Sequence, residues 1–84
     1  ETYNVKVLFA ASSGAYLSDV NVTLEDSTGK VVAEEVTEGP YLFAQLPAGS
    51  YHLKATAEGI SKEIAIKAPG AGTRNYSLRF QVKE

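Results

Sequence analysis

The sequence predicts an all-β fold: a single seven-stranded Greek-key antiparallel β-sandwich that makes one domain of residues 1–84. Three observations predict it. Apolar residues recur two apart along many short segments, turn-forming residues separate these segments, and no stretch has the spacing of an amphipathic helix. The predicted strands are residues 3–11, 19–25, 30–36, 41–46, 50–57, 60–67 and 73–82.

The alternation assigns one set of side chains in each strand to the core and the other set to solvent. In the first strand, Asn4 and Lys6 fall on the solvent side. The third strand has a mixed pattern, and its acidic Glu34 and Glu35 predict an edge strand that resists pairing with another chain. The predicted core set is Tyr3, Val5, Val7, Phe9, Ala11, Val20, Val22, Leu24, Tyr41, Phe43, Tyr51, Leu53, Ala55, Ile64, Ile66, Tyr76, Leu78, Phe80 and Val82.

Composition excludes several classes of function. The net charge is −2, with charges of both signs spread along the chain, so no nucleic-acid partner is expected. No stretch approaches the roughly 20 apolar residues of a membrane-spanning helix. The absence of cysteine excludes disulfides, thiol nucleophiles and thiolate metal sites. Because the chain starts at Glu1 rather than Met, we expect that an export signal was removed and that the protein is periplasmic or extracellular.

The turn at residues 46–53, LPAGSYHL, has a clear physical role. Leu46 ends one strand in the core, Pro47 stops that strand, and Gly49 makes the turn. Tyr51 then re-enters the core, where its hydroxyl is expected to bond backbone. The turn is therefore a folding device.

This turn and three other stretches resemble the carboxypeptidase regulatory-like domains, a transthyretin-like group of Greek-key sandwiches related to the Ig-like folds. The other stretches are GAYLSDVNVTL at 14–24, DSTGKVV at 26–32 and GPYLF at 39–43. The resemblance implies a non-catalytic, exported bacterial module with a structural role or a binding role toward protein or carbohydrate. In that family, the module often lies beside a peptidase, an outer-membrane receptor or an adhesin.

No catalytic, cofactor-binding or metal-binding residues are predicted. His52 is the only histidine, and alternation turns it toward solvent. A zinc site usually needs three or four nitrogen or sulfur donors. The spacing of Ser50, His52 and Asp19 does not support a catalytic triad, and no strained nucleophile turn is present. The acidic residues match no calcium loop.

Two families related to these domains are alternatives. The hydroxyisourate hydrolases are an enzyme branch of the transthyretin-like fold. A sequence that resembles them is expected to have several His and Arg residues and a C-terminal tail of the Tyr-Arg-Gly-Ser type. This chain has one His and ends RFQVKE, so no enzyme activity is predicted. Cna B-type adhesin repeats form a Lys–Asn isopeptide bond, for which Lys6 and Asn75 lie in suitable strands. Ala55, however, stands where the promoting acid is expected.

Tyr16 and Leu17, in the loop at residues 12–18, are the predicted partner contacts, since binding residues are often placed on loops. The purely structural interpretation is that Leu17 closes one end of the core. Carbohydrate binding would need exposed aromatic side chains on one sheet face, for which Tyr16 and Tyr3 are available. A transthyretin-like small-molecule carrier would need a dimer with a channel between sheets. The sequence does not predict the oligomeric state.

Overall fold

A computed structural model describes residues 3–81 and contains seven strands in that range. Every strand begins and ends within two residues of its predicted position. The strands are β1 Val5–Ala11, β2 Asn21–Asp26, β3 Val31–Val36, β4 Tyr41–Ala44, β5 Gly49–Ala57, β6 Ile60–Ala68 and β7 Arg74–Phe80.

The strands form two sheets, one of three strands in the order β4-β1-β7 and one of four in the order β3-β2-β5-β6. The predicted all-β sandwich is therefore confirmed. All strand pairs are antiparallel except β1 and β7, which run parallel. Parallel neighbours need a long connection, and here the rest of the chain, including the whole second sheet, connects the two strands. Within the described residues, no helix is both long and apolar enough to cross a membrane.

The core lies between the two sheets and is built by alternate residues of most strands. Phe9 and Phe80 are its largest fully buried side chains, and their ring centroids are 6.5 Å apart. Leu24, Leu53 and Ile66 meet them from the other sheet. Most of the predicted core set is buried as expected, whereas Ile64 and Tyr76 are half-buried and pack against it. Val82 lies outside the described residues.

Strand β4 corrects one prediction, because Leu42 is buried there and its neighbours Tyr41 and Phe43 are not. Phe43 is 49% exposed and Tyr41 is half-buried. The segment has three consecutive apolar residues, so alternation alone does not determine which one points inward. Pairing with β1 decides it, since Leu42 lies opposite the buried Val7.

The start of β1 corrects a second prediction, because Asn4 is buried and Tyr3 is not a core residue. Asn4 is only 8% exposed and bonds the backbone of Leu46 through both its side-chain atoms. Tyr3 is half-buried and packs its ring against Phe43. Regular alternation applies only from Val5, where β1 begins, and the chain turns out of the strand pattern before it.

Strand β3 is the edge strand that the sequence predicts. It lies at the end of the four-stranded sheet, and every residue but Ala33 is exposed. The pairing with β2 shifts register so that Val32 is the extra residue of a bulge. A bulge and acidic side chains are both common on edge strands, because they hinder uncontrolled pairing.

The β2–β3 turn is organised by Asp26. Its Oδ1 atom accepts hydrogen bonds from Thr28 N at 2.9 Å, Thr28 Oγ1 at 2.6 Å and Lys30 N at 3.1 Å. The Thr28 bonds, followed by that to Lys30 and the Lys30 charge, hold the pKa of Asp26 below its usual value of 3.8. Gly29 closes the turn with a φ of 89°, a conformation that costs other residues more than glycine.

We expect the stabilising contribution of Asp26 to disappear in acid. Because the folded state lowers the pKa, the contribution is fully present above pH 3.8 and is lost as the pH falls through the lower folded value. Urea unfolding at a series of pH values should therefore show wild type and Asp26→Asn converging below about pH 4. The Glu34→Gln variant controls for the loss of one carboxylate, and parallel curves for Asp26→Asn across the whole range would contradict the assignment.

Candidate functional site

The outer face of the three-stranded sheet carries the most distinctive group of side chains in the described structure. Cross-strand pairing places Lys6 between Phe43 and Asn75. One step along the same face, Leu8 lies between Tyr41 and Ser77. Each of these residues alternates with one that points into the core, so these side chains lie together on the outside.

Four aromatic rings form a row along this face. The centroids of Tyr3 and Phe43 are 4.8 Å apart, those of Phe43 and Tyr41 are 5.9 Å apart, and those of Tyr41 and Tyr16 are 6.4 Å apart. All three pairs are tilted, a geometry that aromatic rings prefer to direct face-to-face stacking. We call Tyr3, Phe43, Tyr41 and Tyr16 the aromatic row.

Lys6 lies over this row. Its Nζ atom is 4.5 Å from the centroid of the Tyr41 ring and 5.9 Å from that of Phe43. Both distances are within the range of cation–π attraction. In residues 3–81, no carboxylate lies within ion-pair distance of Lys6, because the one ion pair found there joins Lys54 to Glu25. The Lys6 charge is thus positioned by rings rather than neutralised by an acid.

A shallow depression of about 190 Å³ opens beside Lys6. We call it the Lys6 depression. Arg79 adds a second cation to the exposed side of β7, and strands β1, β4 and β7 contain no Asp or Glu. A face with cations, rings and no acid favours a planar or anionic ligand. The depression is lined by Lys6, Leu8, Tyr41, Asn75, Tyr76 and Ser77.

The two predicted partner contacts, Tyr16 and Leu17, lie in different environments. Tyr16 is 65% exposed, bridges to Ala10 and extends the aromatic row. Leu17 is half-buried and packs against the core, and its N–H bonds the carbonyl of Phe9 at 3.1 Å. Leu17 thus closes the core, as the purely structural interpretation expects. Contact of Tyr16 or Leu17 with a partner stays a prediction.

A second depression, of about 500 Å³, lies on the outer side of the four-stranded sheet near His52. His52 is exposed and lies opposite Glu25, whose carboxylate is 3.3 Å from Lys54 Nζ. Asp19 lies beyond the far end of β2, so the structure does not bring it to His52 or Ser50. Among the described residues, no group of three His, Cys, Asp or Glu side chains is placed to hold a metal ion.

Lys6 and Asn75 are cross-strand neighbours, as isopeptide chemistry would require. Both lie on the outer face, however, and Ala55 occupies the core of the opposite sheet, where it is 1% exposed. No acid therefore lies between the sheets at that position to promote the bond.

Comparison with solved structures identifies the class of fold. The chain matches Klebsiella pneumoniae 5-hydroxyisourate hydrolase with a TM-score of 0.62 and 21% sequence identity, over 98% of this chain and 85% of that one. The fold is therefore a transthyretin-like β-sandwich. No family model matches the chain, and neither does any curated protein.

This match corrects the prediction of a non-catalytic accessory or adhesin module, because the matched structure is that of an enzyme. The sequence argument against the hydrolase branch used the number of histidines and the form of the tail, neither of which bears on backbone similarity. At 21% identity the likeness itself shows the fold.

Sequence reasoning also missed the aromatic row. The sequence assigns Tyr3, Tyr41 and Phe43 to the core, and it offers Tyr16, with Tyr3 as a second candidate, for an exposed aromatic contact. No signal in the sequence identifies the row, because three consecutive apolar residues fit either orientation and only the pairing of Leu42 with Val7 turns Tyr41 and Phe43 outward.

Proposed function

We propose that this chain binds a small planar anion in the Lys6 depression. The observation that carries the proposal is the Lys6 ammonium, held 4.5 Å above the Tyr41 ring beside the depression and without a carboxylate partner in the described residues. The charge suits an anionic oxygen of the ligand, and the rings of Tyr41 and Tyr76 in the lining suit its flat surface. Asn75 and Ser77 add hydrogen-bonding groups to the same lining.

A hydrolytic reaction is a second candidate function, favoured by the fold match with 5-hydroxyisourate hydrolase. In the hydrolysis of a cyclic amide, water adds to the carbonyl carbon, the C–N bond breaks, and a proton from the water ends on the nitrogen. The Lys6 ammonium and the Asn75 amide are the donors that would stabilise negative charge on the carbonyl oxygen.

The ligand proposal is tested with 2-naphthoate and its neutral counterpart 2-naphthamide. We expect wild type to bind the anion more tightly and Lys6→Met to lose about tenfold in affinity for it, as expected for a lost charged hydrogen bond. Binding of the neutral compound should change little. Each compound is titrated into the protein while the backbone amide NMR signals are followed. The concentration dependence of the shifts gives the affinity, and shifts in β1, β4 and β7 would locate the site.

The matched control is Lys62→Met, which removes the same charge from an exposed position on β6. It should bind both compounds as wild type does. Equal affinities for the anion in wild type and Lys6→Met, or shifts centred on His52, would contradict the proposed site.

The hydrolytic candidate has its own readout. Ring opening of 5-hydroxyisourate, followed by ultraviolet absorbance, should accelerate in proportion to protein concentration and slow at least tenfold in Lys6→Met but not in Lys62→Met. If naphthoate binds at Lys6 and no such acceleration is seen, the result supports the proposed ligand site and rejects hydrolysis of this substrate.

Within the transthyretin-like fold, we propose that the chain is a domain of the carboxypeptidase regulatory-like type. The turn at residues 46–53 supports this placement. Its Tyr51 is buried, and the Tyr51 hydroxyl donates a 2.6 Å hydrogen bond to the carbonyl of Pro47, which closes the turn as that motif suggests. The outer-face site is compatible with this assignment, since a turn that serves folding leaves function to other residues.

A further inference from the structure

The free edge of the four-stranded sheet is the second surface with a distinctive chemistry. Among residues 3–81, strand β3 pairs with β2 alone, so alternate backbone N–H and C=O groups along its other side have no partner strand in this part of the chain. Because Val32 forms a bulge, regular pairing geometry is confined to Ala33–Val36. An added strand would therefore dock along these four residues.

The side chains of this edge combine apolar and acidic character. Val31, Val32 and Val36 are exposed large hydrophobics, Val36 at 56%. Glu34 and Glu35 lie between them and are exposed, and neither carboxylate is ion-paired in the described structure. Since β-branched residues favour extended pairing and uncompensated acids favour cations, the edge suits a strand that carries both.

A shallow depression of about 340 Å³ lies over the β2–β3 pair, next to this edge. Glu34, Glu35 and Val36 line it from β3, and Asn21, Val22 and Thr23 line it from β2. A segment whose backbone pairs with the free side of β3 would lie next to this depression. The depression is separate from the Lys6 depression, which lies on the other sheet.

A second copy of this chain is a poor occupant of the edge. Antiparallel pairing of β3 with itself near its centre would bring Glu34 and Glu35 of both copies together, and like charges opposite one another destabilise a strand pair. The negative charge of Glu34 and Glu35 favours a positively charged partner segment. We propose that β3 accepts an extended, basic segment of a partner protein, with Lys or Arg alternating with β-branched residues, by addition to the edge of the sheet.

The test uses a blocked eight-residue peptide of alternating Lys and Val, with a Glu–Val peptide for comparison. The Lys–Val peptide should bind wild type, shift the amide signals of Ala33–Val36 and slow their hydrogen exchange. The double variant Glu34→Lys/Glu35→Lys should bind it at least tenfold more weakly and acquire affinity for the Glu–Val peptide. Far-ultraviolet circular dichroism checks that the variants keep the fold.

Two controls separate strand addition from general charge attraction. The double variant Glu58→Lys/Glu63→Lys changes the net charge equally but lies on the β5–β6 turn and β6, and it should bind within threefold of wild type. A Lys–Val peptide that is N-methylated at alternate residues keeps its charge and should not bind. Equal binding of this peptide, an equal loss in the control variant, shifts away from β3, or wild-type dimers joined through β3 would each overturn the proposal.

Discussion

Replacing Asn4 with Ala is expected to lower the free energy of unfolding by about 3 kcal/mol, since it leaves buried backbone groups without partners. The Asn4 Nδ2 atom donates to the carbonyls of Leu46 at 2.8 Å and Pro69 at 3.3 Å, and its Oδ1 atom accepts from Leu46 N at 3.0 Å. One side chain thus ties the start of β1 to the turn before β5 and to the β6–β7 loop. Thermal unfolding should show a midpoint lower by roughly 15 °C.

Asn21→Ala is the matched control for this prediction, because Asn21 is an exposed asparagine at the start of β2. Its unfolding free energy should remain within about 0.5 kcal/mol of wild type. A change in Asn4→Ala as small as that in the control would mean that water replaces the lost hydrogen bonds and that Asn4 does not join these segments.

Replacing Phe9 with Ala is expected to cost about 4 kcal/mol. Phe9 is fully buried at the centre of β1 and packs with Phe80 between the sheets. The loss combines the transfer of apolar surface with the cavity that remains. Because small domains are stable by about 5 kcal/mol or a little more, only about 1 kcal/mol should remain, so that a detectable minority of the variant is unfolded without denaturant, as circular dichroism and denaturant titration would show.

Two further variants keep this second prediction testable. Phe9→Leu retains most of the volume and should fold with a loss of about 1.5 kcal/mol or less. Phe43→Ala removes the same ring from the exposed face and should cost about 1 kcal/mol or less, mainly through its contacts with Tyr3 and Tyr41. A larger loss at Phe43 than at Phe9 would contradict the assignment of inner and outer faces.

The predictions for Asn4 and Phe9 concern the stability of the fold. The proposals of anion binding and of strand addition concern two surfaces on different sheets. The Lys6 depression belongs to the three-stranded sheet and the β3 edge to the four-stranded sheet. Acidic residues on strands are confined to the four-stranded sheet, so the two surfaces attract ligands of opposite charge. Each proposal therefore succeeds or fails without the other.

The residues alone determine where strands and turns lie. Alternation identifies β1, β2, β5 and β7 with their buried sides, since polar residues separate the apolar ones there. The turn at residues 46–53 is likewise predicted from the sequence, because its Tyr51 hydroxyl bonds Pro47, only four residues away in the chain.

Only the tertiary structure decides which of several apolar neighbours faces inward and which distant segments meet. In the run from Tyr41 to Phe43, the alternation of side chains allows either Leu42 or its two neighbours to face the core. The pairing of Leu42 with the buried Val7 decides for Leu42. Asn4 looks like a solvent-facing residue until Leu46 and Pro69 supply the groups that it bonds. The candidate site depends on the same long-range pairing, because Lys6, Tyr41 and Asn75 are far apart in the chain and adjacent only in the assembled sheet.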